Sequence, residues 1–356
     1  MKIAIDGRYL FGPRRGIGIY SLNLLNNLSL LKTNNIFYVF GLSKFPPNDL
    51  KLSKNLIYIH TPYYNYLIWE NFIFPYFANK NRCELIHYLG NTSSFYNWFN
   101  LTKVVTIHDV SYMYSRYNKF LKFKSIKSLL GYFYRKINFK YSIRNTNSII
   151  TVSDFARKDI LKFIRKSVPV YVINNGLSDI FLKRKSINKR NSITLISGNS
   201  FQKNFKLIED TLVNSDFLSE NNLTLDIIGI TKTSRNPNVN FFGFKDQDFI
   251  SKKLSSSKYF ILPSFYESFA IPVLEALSLD NVIICSKNGA PIDILRQNGI
   301  FFNPNSNLDF IDKLSDAIEN YNDYFLEIKK SKSILNDYSW SKAAKITNFV
   351  YEKSFN

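Results

Sequence analysis

Short apolar runs alternate with longer segments of helical periodicity along this chain, and that alternation constrains the fold more than any other feature. Short, fully apolar runs are typical of strands buried on both faces of a parallel sheet, with helices covering those faces. In the first half, the predicted strands are Lys2–Ile5, Phe37–Phe40, Leu56–Ile59, Leu85–Tyr88, Val104–Ile107, Ser148–Val152 and Val168–Ile173. In the second half, they are Ser192–Ile196, Leu223–Ile228, Asn238–Phe242, Tyr259–Leu262 and Val282–Cys285.

The segments between these strands predict the helices and the domain boundary. The clearest helical segments are Ile19–Leu31, Ile126–Ile143, Phe155–Ile164, Phe249–Leu254 and Ile271–Leu279. The polar, basic segment Gly176–Asn191 interrupts the alternation, and we interpret it as a linker. The pattern predicts an α/β protein with two parallel-sheet domains, residues 1–175 and 176–356, facing each other across a cleft. Ligands of such sheets bind at the carboxyl ends of the strands, so we expect the site in that cleft.

Charge and cysteine content exclude several classes of protein. The chain carries 47 Lys and Arg against 27 Asp and Glu, a formal net charge of +20. Such a surface attracts phosphorylated substrates or anionic lipids, although a solvated lysine-rich surface explains the same charge. No nucleic-acid-binding module is recognisable, so we expect no nucleic-acid partner. The two cysteines, Cys83 and Cys285, predict neither a disulfide framework nor a thiolate metal site and favour the cytoplasm.

The segment Pro263–Leu277 carries the strongest candidate chemistry. It follows an apolar strand, and Glu267 lies in the loop before a helix whose first turn contains Pro272. Glu275 then falls inside that helix. Free amides at the helix start attract anions, and carboxylates can hold sugar or ribose hydroxyls by charge-assisted hydrogen bonds. The alternative is that Glu267 only caps the helix and that Glu275 is only solvated.

This segment resembles the Glu-x7-Glu signature of the family 4 retaining glycosyltransferases, which have the GT-B fold of two Rossmann-like domains. Further segments match that family in order and spacing over nearly the whole chain, and the ordered set is more specific than its parts. They are Ile5–Arg8 with Gly16–Tyr20, His87–Tyr88 with Gly90–Asn91, Thr106–Asp109, Thr151–Ser153, Asn174–Gly176, Ser197–Gly198 with Lys203–Asn204, Val239–Gly243, and Ser339–Trp340.

The resemblance implies transfer of a hexose from a nucleotide diphosphate sugar to a hydroxyl of a glycan or lipid-linked acceptor. It implies retention at the anomeric carbon, no metal or other cofactor, and a possible place in surface polysaccharide synthesis. Glu267 would face the donor sugar, Glu275 would bind the ribose, and Lys203 would neutralise the diphosphate. The other implied donor contacts are the turn with Gly198 and Asn199 and the amides around Ser268, Phe269 and Ala270.

In the first domain, the resemblance implies that Gly16 and Gly18 let the backbone approach donor phosphate or acceptor. His108 would lie beside the reacting sugar, and the last helix, about residues 339–354, would pack back on the first domain. His60 is interpreted as structural, and His87 is left undecided.

Two departures from the family pattern bear on activity. The family commonly has glycine where this chain has Ser268 and Ala270. It also has an arginine that assists Lys203, whereas Asn199 and Gln202 occupy the candidate positions here. Arg14 and Arg15 are possible substitutes. The missing arginine makes a nucleotide-sugar or glycan-binding protein without turnover an alternative function. A nucleotide-sugar epimerase is a further alternative, because that class of enzyme uses the same architecture.

Two further patterns have competing interpretations. Asp246-Gln247-Asp248 matches the metal-binding Asp-x-Asp of a different transferase class, but its place before a helical run favours helix capping. The segment Pro62–Ala78 is dense in aromatic residues, which either form core or present a patch to an acceptor or a membrane surface. With the net positive charge, the second interpretation predicts peripheral binding to an anionic membrane. No apolar run reaches the roughly 18 residues of a membrane span.

Overall fold

The computed structural model describes residues 1–12, 14, 16–62, 65–114, 126–164 and 168–355. The chain divides into two compact units. The first unit comprises Met1–Gly176 together with Ser339–Asn356, and the second comprises Leu177–Tyr338. Each unit is built on a parallel sheet with helices on its faces, so the expectation of two α/β parallel-sheet domains is confirmed.

The described part of the first unit has a seven-stranded sheet in the order β3-β2-β1-β4-β5-β6-β7. Its strands are β1 (Lys2–Asp6), β2 (Ile36–Gly41), β3 (Leu56–His60), β4 (Leu85–Tyr88), β5 (Thr102–Thr106), β6 (Ser148–Thr151) and β7 (Val170–Val172). In the inner strand β1, Ile3, Ala4 and Ile5 are all fully buried. Side chains of successive strand residues point to opposite faces, so both faces of this sheet are covered.

Helices join these strands. They are α1 (Gly16–Leu28), α2 (Tyr66–Ile68), α3 (Phe74–Lys80), α4 (Ile126–Ser142) and α5 (Asp154–Leu161). A π-helical turn, Trp69–Ile73, connects α2 to α3. Ser153 caps α5, because its hydroxyl accepts a hydrogen bond from the Ala156 amide at 2.9 Å.

The second unit has a six-stranded sheet in the order β10-β9-β8-β11-β12-β13. Its strands are β8 (Arg190–Ile196), β9 (Thr224–Ile228), β10 (Val239–Phe241), β11 (Ser257–Leu262), β12 (Val282–Ser286) and β13 (Ile300–Phe302). The sequence pattern predicted five of these strands and missed β13, which is only three residues long and follows a polar segment. A strand this short has no periodicity of its own, and pairing with β12 defines it.

The helices of the second unit include one inside the predicted linker. They are α6 (Asp179–Lys183), α7 (Phe205–Ile208), α8 (Phe217–Glu220), α9 (Gln247–Ser256), α10 (Ile271–Ser278), α11 (Pro291–Leu295), α12 (Asn307–Glu319) and α13 (Tyr321–Lys330). The interpretation of Gly176–Asn191 as a linker is wrong in part. Phe181 of α6 is buried, and α6 packs against α9 and α10. Burial of the Phe181 side chain stabilises this helix, although the surrounding segment is polar.

The two faces of the second sheet carry different helices. One face packs against α7 and α12, because Leu195, Ile227 and Ile261 share an apolar cluster with Ile208 and Phe310. Helix α9 lies on the opposite face: its Lys253 Nζ donates to Asp226 Oδ2 at 2.8 Å, and Asp226 precedes Ile227 on the strand, so the two point to opposite faces. Helix α10 packs against α9 and therefore belongs to that second face.

The last helix, α14 (Trp340–Phe355), is part of the first unit and packs against α1. Tyr351 of α14 is buried, and its hydroxyl lies 2.7 Å from Nδ1 of His87. The other ring nitrogen of His87 lies 2.8 Å from the Thr106 hydroxyl, and burial lowers the pKa of the imidazole to about 3. His87 is thus a neutral, fully hydrogen-bonded ring that ties α14 to the sheet.

Candidate functional site

The carboxyl ends of β8 and β11 bring two of the candidate residues into contact. These strands are hydrogen-bonded neighbours in the second sheet, so the loops that follow them lie side by side. Lys203 lies in the first loop and Glu267 in the second. Lys203 Nζ donates to Glu267 Oε1 at 2.6 Å, and both side chains are partly buried. The Lys203 ammonium and the Glu267 carboxylate are therefore in contact at the carboxyl edge of the sheet.

Hydrogen bonds within the protein fix the positions of these two loops relative to each other. The Phe265 amide donates to the Gln202 carbonyl at 2.8 Å. Asn204 has a left-handed backbone, with φ of 49°, and its buried side-chain amide donates to the carbonyls of Pro263 and Pro304 at 3.1 and 2.9 Å. Asparagine tolerates this backbone better than most residues. Asn204 therefore fixes the loop that positions Lys203, a role that sequence analysis did not assign.

Glu267 does not cap the helix that follows it, so that alternative is wrong. The residue before α10 is Ala270, and no side chain caps the helix there. The Glu267 carbonyl accepts the Ala290 amide at 2.9 Å. Gly289, with φ of +100°, allows this approach, since a Cβ at that position would lie 2.4 Å from the Glu267 carbonyl oxygen. The Asn288-Gly289 pair after β12 is a turn signal, and it could have identified Gly289 from the sequence alone.

Ser268, Phe269 and Ala270 form the turn between Glu267 and α10. Ala270 has φ of 68° and ψ of 61°, the left-handed conformation that residues other than glycine rarely adopt. This is one of the positions where the resembled family has glycine. The backbone keeps the conformation that glycine would allow, at a cost of about 1 kcal/mol. Phe269 is buried and contacts the Tyr338 ring, with centroids 5.8 Å apart.

Glu275 lies inside α10 and is 4% exposed, so the alternative that it is simply solvated is also wrong. Burial raises the pKa of its carboxyl group to about 8. Removing a carboxylate from water disfavours its charged form. An uncharged carboxyl group can both donate and accept hydrogen bonds, and this is suited to a pair of hydroxyls.

Gly198 and Asn199 lie in the loop after β8 and line a pocket of about 350 Å³ in the second unit. A Cβ on Gly198 would meet no atom within 4 Å. The space beside Gly198 is therefore open at the carboxyl end of the central strand β8. The pocket also reaches the loop after β9 and Phe265 after β11.

His108 belongs to the first unit and follows β5. Its side chain is buried, its Nε2 lies 2.8 Å from the Leu89 carbonyl, and its ring packs edge-on against Tyr20. A carbonyl only accepts, so Nε2 carries the hydrogen and Nδ1 is the acceptor. Burial lowers the pKa of His108, and the ring is therefore neutral near pH 7. Its backbone amide donates to Asn91 Oδ1 at 2.6 Å.

Gly16 and Gly18 form the first turn of α1. A Cβ on Gly16 would meet nothing within 4 Å, so the backbone there is open. A Cβ on Gly18 would lie 2.9 Å from the Tyr9 carbonyl oxygen, so Gly18 is required by packing. Arg14 is paired with Asp49 at the surface, and Arg15 lies outside the described residues.

Part of the second unit matches a known family of proteins. Residues 180–333 match the family model described as Glycosyl transferases group 1. This match lies within the second unit and contains Lys203, Glu267 and Glu275. An uncharacterized glycosyltransferase of Methanocaldococcus jannaschii is 33% identical over 120 residues, which are 32% of this chain. The aligned part spans 30% of that relative's length.

Solved structures match the chain over its whole length. Sucrose-phosphate synthase from Thermosynechococcus elongatus has a TM-score of 0.77 at 15% identity and covers 99% of both chains. HepE from Anabaena, in complex with UDP-glucose, has a TM-score of 0.73 at 13% identity and covers 99% of this chain and 100% of that one. At these identities the likeness establishes the fold: the chain has the two Rossmann-like domains of the GT-B class.

The Asp246-Gln247-Asp248 sequence lies at a helix start, as predicted. Asp246 Oδ1 accepts the Phe249 amide at 2.8 Å and caps α9. Asp248 forms ion pairs with Arg184 and Lys252 at the surface. Within the described ranges, no three His, Cys, Asp or Glu side chains are grouped so that they could hold a metal ion.

The aromatic stretch Pro62–Ala78 is divided between core and surface. Trp69 and Phe74 are fully buried and stack, whereas Phe72 and Tyr76 are about half exposed. Tyr63 and Tyr64 lie outside the described residues. Among the helices of the described residues, none combines the length and apolar character that crossing a bilayer requires.

Sequence analysis missed a buried charged cluster in the first unit. Arg8 Nη2 contacts Asp6 Oδ2 at 2.7 Å and Glu70 Oε2 at 2.8 Å, and all three side chains are nearly inaccessible. The Tyr66 and Trp69 rings each lie 4.6 Å from the guanidinium. Glu70 comes from the aromatic stretch, far from Arg8 in sequence, so no local pattern signalled the contact. The cluster holds the start of the glycine loop against the π-helical turn.

Proposed function

We propose that this protein is a retaining glycosyltransferase that moves a hexose from a nucleotide diphosphate sugar to a hydroxyl of a glycan or lipid-linked acceptor. The observation that carries the proposal is the contact of Lys203 with Glu267 at the carboxyl ends of adjacent strands. The group 1 match over residues 180–333 includes both residues.

In this proposal, Lys203 stabilises the departing nucleoside diphosphate, whose negative charge grows as the bond to the sugar breaks. Preorganised charges at the leaving group are among the largest contributions to catalysis. Glu267 orients a sugar hydroxyl and stabilises positive charge on the anomeric carbon. Glu275 binds the ribose hydroxyls from α10. No metal is required in this scheme, because Lys203 and the loop with Gly198 and Asn199 contact the diphosphate.

In the first unit, His108 accepts a hydrogen bond from the reacting sugar through Nδ1. The open backbone at Gly16 admits donor phosphate or the acceptor. A second candidate function is nucleotide-sugar binding without turnover. The neutral side chains Asn199 and Gln202 favour it, because they stand where the resembled family supplies a second cation to the diphosphate.

A donor panel tests both candidates. Purified protein is incubated with nucleotide diphosphate derivatives of glucose, mannose, rhamnose and N-acetylglucosamine, and binding and slow hydrolysis are measured. Glycosyl transfer predicts that at least one donor binds and is hydrolysed with release of the sugar in its original anomeric form. Binding without hydrolysis supports the second candidate, and a changed sugar epimer supports an epimerase.

We also propose peripheral association with an anionic membrane surface through α4. Four apolar side chains of this helix, at helical spacing, are exposed by 45% to 63%. They are Leu130, Phe133, Ile137 and Tyr141. Arg135 and Lys140 are exposed on the same helix. A helix with exposed apolar residues and basic neighbours is suited to a lipid interface.

A further inference from the structure

Two loops of the first unit meet around His108. Residues 89–92 follow β4 and residues 107–109 follow β5, and these strands are hydrogen-bonded neighbours. The loops therefore lie side by side at the carboxyl end of the sheet. The Leu89 carbonyl accepts the Nε2 hydrogen of His108 at 2.8 Å, and the Asn91 side chain accepts the His108 backbone amide at 2.6 Å. The loop after β4 thus holds both the ring and the backbone of His108.

Asn91 has the backbone and the side chain that this contact requires. Its φ is 59°, in the left-handed region. Its own amide donates to the Thr106 carbonyl at the end of β5 at 2.9 Å. Its side-chain oxygen accepts the His108 amide and lies 3.4 Å from the Asp109 nitrogen. Asparagine tolerates this backbone and carries a side-chain acceptor that reaches nearby amides. Glycine has only the first of these properties, and alanine has neither.

Contacts with other segments fix both neighbours of Asn91. The buried hydroxyl of Thr92 donates to Glu70 Oε2 at 2.7 Å, and Glu70 belongs to the buried charged cluster of this unit. The Gly90 carbonyl accepts the Tyr9 hydroxyl at 3.2 Å. A Cβ on Gly90 would lie 2.1 Å from that hydroxyl oxygen, so only glycine fits. The loop that carries Asn91 is held on both sides, and it can keep a bonded partner in one place.

We propose that Asn91 is a positioning residue for His108 in the transfer reaction. The inference rests on the proposed function, in which Nδ1 of His108 accepts a hydrogen bond from the reacting sugar. Because the Leu89 carbonyl engages Nε2, the direction in which Nδ1 presents its lone pair depends on where the loops hold the ring. A small displacement of a positioned group can lower a rate severely. Asn91 acts through His108 in this scheme and contacts no substrate.

Steady-state donor kinetics of the full chain test this role with two substitutions. Asn91→Ala removes the acceptor and should lower kcat by about fivefold or more, while KM for the donor stays within about twofold of wild type. Asn91→Gly removes the backbone strain that alanine introduces but does not restore the acceptor, so its kcat should be equally low. Circular dichroism checks that both variants are folded.

Asn100→Ala is the matched control. Asn100 is an exposed asparagine of the same unit, and its backbone is also left-handed, with φ of 52°. Alanine costs the backbone the same at both positions, so only loss of the Asn91 acceptor should matter, and kcat of Asn100→Ala should stay within about twofold of wild type. Wild-type kcat in Asn91→Ala or in Asn91→Gly, or an equal fall in Asn100→Ala, would overturn the inference.

A second measurement needs no turnover. The chain has three histidines, so selective ¹⁵N-histidine labelling allows the His108 amide to be followed by NMR in the unliganded protein. In Asn91→Ala its proton signal should move upfield and its hydrogen exchange should become faster, because the acceptor is gone. An unchanged signal and exchange rate would overturn the inference. Failure of the proposed function is a separate result, in which the wild-type protein hydrolyses no donor while this NMR contact is still observed.

Discussion

Lys203 and Glu267 are 64 positions apart in the sequence, and their side-chain atoms lie 2.6 Å apart in the fold. Each partner limits the freedom of the other. The carboxylate holds the ammonium beside the loop after β8, and the ammonium holds the carboxylate at the carboxyl edge of the sheet. At the scale of single residues, substitution of Lys203 or Glu267 tests the proposed site most directly.

We expect Lys203→Ala to lower kcat/KM for the donor by at least about tenfold. A charge-assisted hydrogen bond to phosphate contributes roughly 1.5 to 3 kcal/mol, and its contribution grows as the leaving group gains charge. Lys258→Ala is the matched control, because Lys258 lies at the amino end of β11, away from the site, and contacts Asn191. Unchanged donor kinetics in Lys203→Ala would assign the diphosphate to another cation.

Glu267→Gln and Glu275→Gln should differ in which kinetic constant changes. The Glu267 interaction strengthens as charge develops, so Glu267→Gln should lower kcat by about tenfold or more. The proposed ribose contact of Glu275 is similar before and during reaction, so Glu275→Gln should mainly raise KM. Steady-state kinetics, with circular dichroism as a check on folding, measures both. Wild-type kcat in a folded Glu267→Gln protein would contradict the catalytic role.

Glu275 also predicts a pH dependence of stability. Burial raises the pKa of its carboxyl group from 4.5 to about 8 in the folded protein. The folded state therefore holds the proton more tightly, and stability from this group is complete below about pH 4.5 and is lost as the pH rises through 8. At about 1.4 kcal/mol per pKa unit, the loss is on the order of a few kcal/mol.

Urea unfolding at pH 5 and pH 9 measures this effect. Wild type should lose more unfolding free energy between the two values than Glu275→Gln does, because glutamine does not ionise. Equal losses in the two proteins would mean that burial does not raise the pKa of Glu275 in the folded protein.

At the scale of elements, the N-terminus of α9 shows which interpretation of the Asp-x-Asp sequence is correct. The α9 N-terminus uses Asp246 as its cap, so the Asp-x-Asp pattern has a structural explanation. The turn before α10 has no side-chain cap and contains a left-handed alanine instead. The start of α9 is thus capped by a side chain, and the start of α10 is not.

We expect Asp246→Ala to lower the free energy of unfolding by about 1 kcal/mol, the usual contribution of an N-cap. Asp248→Ala should change it by less than about 0.5 kcal/mol, because exposed ion pairs contribute little. Both variants should keep donor hydrolysis in the presence of a chelator. Activity that disappears with EDTA and returns with manganese would contradict the metal-independent scheme.

At the scale of the whole molecule, we expect the net charge of +20 and the exposed apolar side chains of α4 to act together in binding an anionic membrane. Basic residues near an anionic bilayer contribute about 1 kcal/mol each, and salt screens them. The apolar side chains add a contribution that salt does not remove. Membrane association should therefore weaken with salt without disappearing.

Co-sedimentation with vesicles tests this association. Binding to vesicles containing phosphatidylserine should be strong at low salt, fall at high salt, and fall further in the double variant Phe133→Ser with Ile137→Ser. Leu308→Ser, at an exposed leucine of α12, is the control and should bind as wild type does. Equal binding to neutral vesicles, or wild-type binding by the double variant, would contradict the role of α4.

The sequence by itself determined the α/β class, most strands and the positions of the candidate carboxylates. Buried parallel strands are continuous apolar runs, and helices have their own period, so both can be recognised locally. The prediction placed the domain boundary at residue 175, and the compact units divide after Gly176 and again after Tyr338. The short strand β13 and the helix α6 were missed, because packing rather than local pattern defines them.

Only the tertiary structure decided which candidates meet. Strand order places β11 beside β8 although β9 and β10 intervene in the sequence, and this order brings Glu267 to Lys203. The burial of Glu275, the close approach at Gly289 and the cluster of Arg8 with Glu70 are likewise contacts between distant segments. Local periodicity carries no information on strand order, because order depends on how whole elements pack and cover one another.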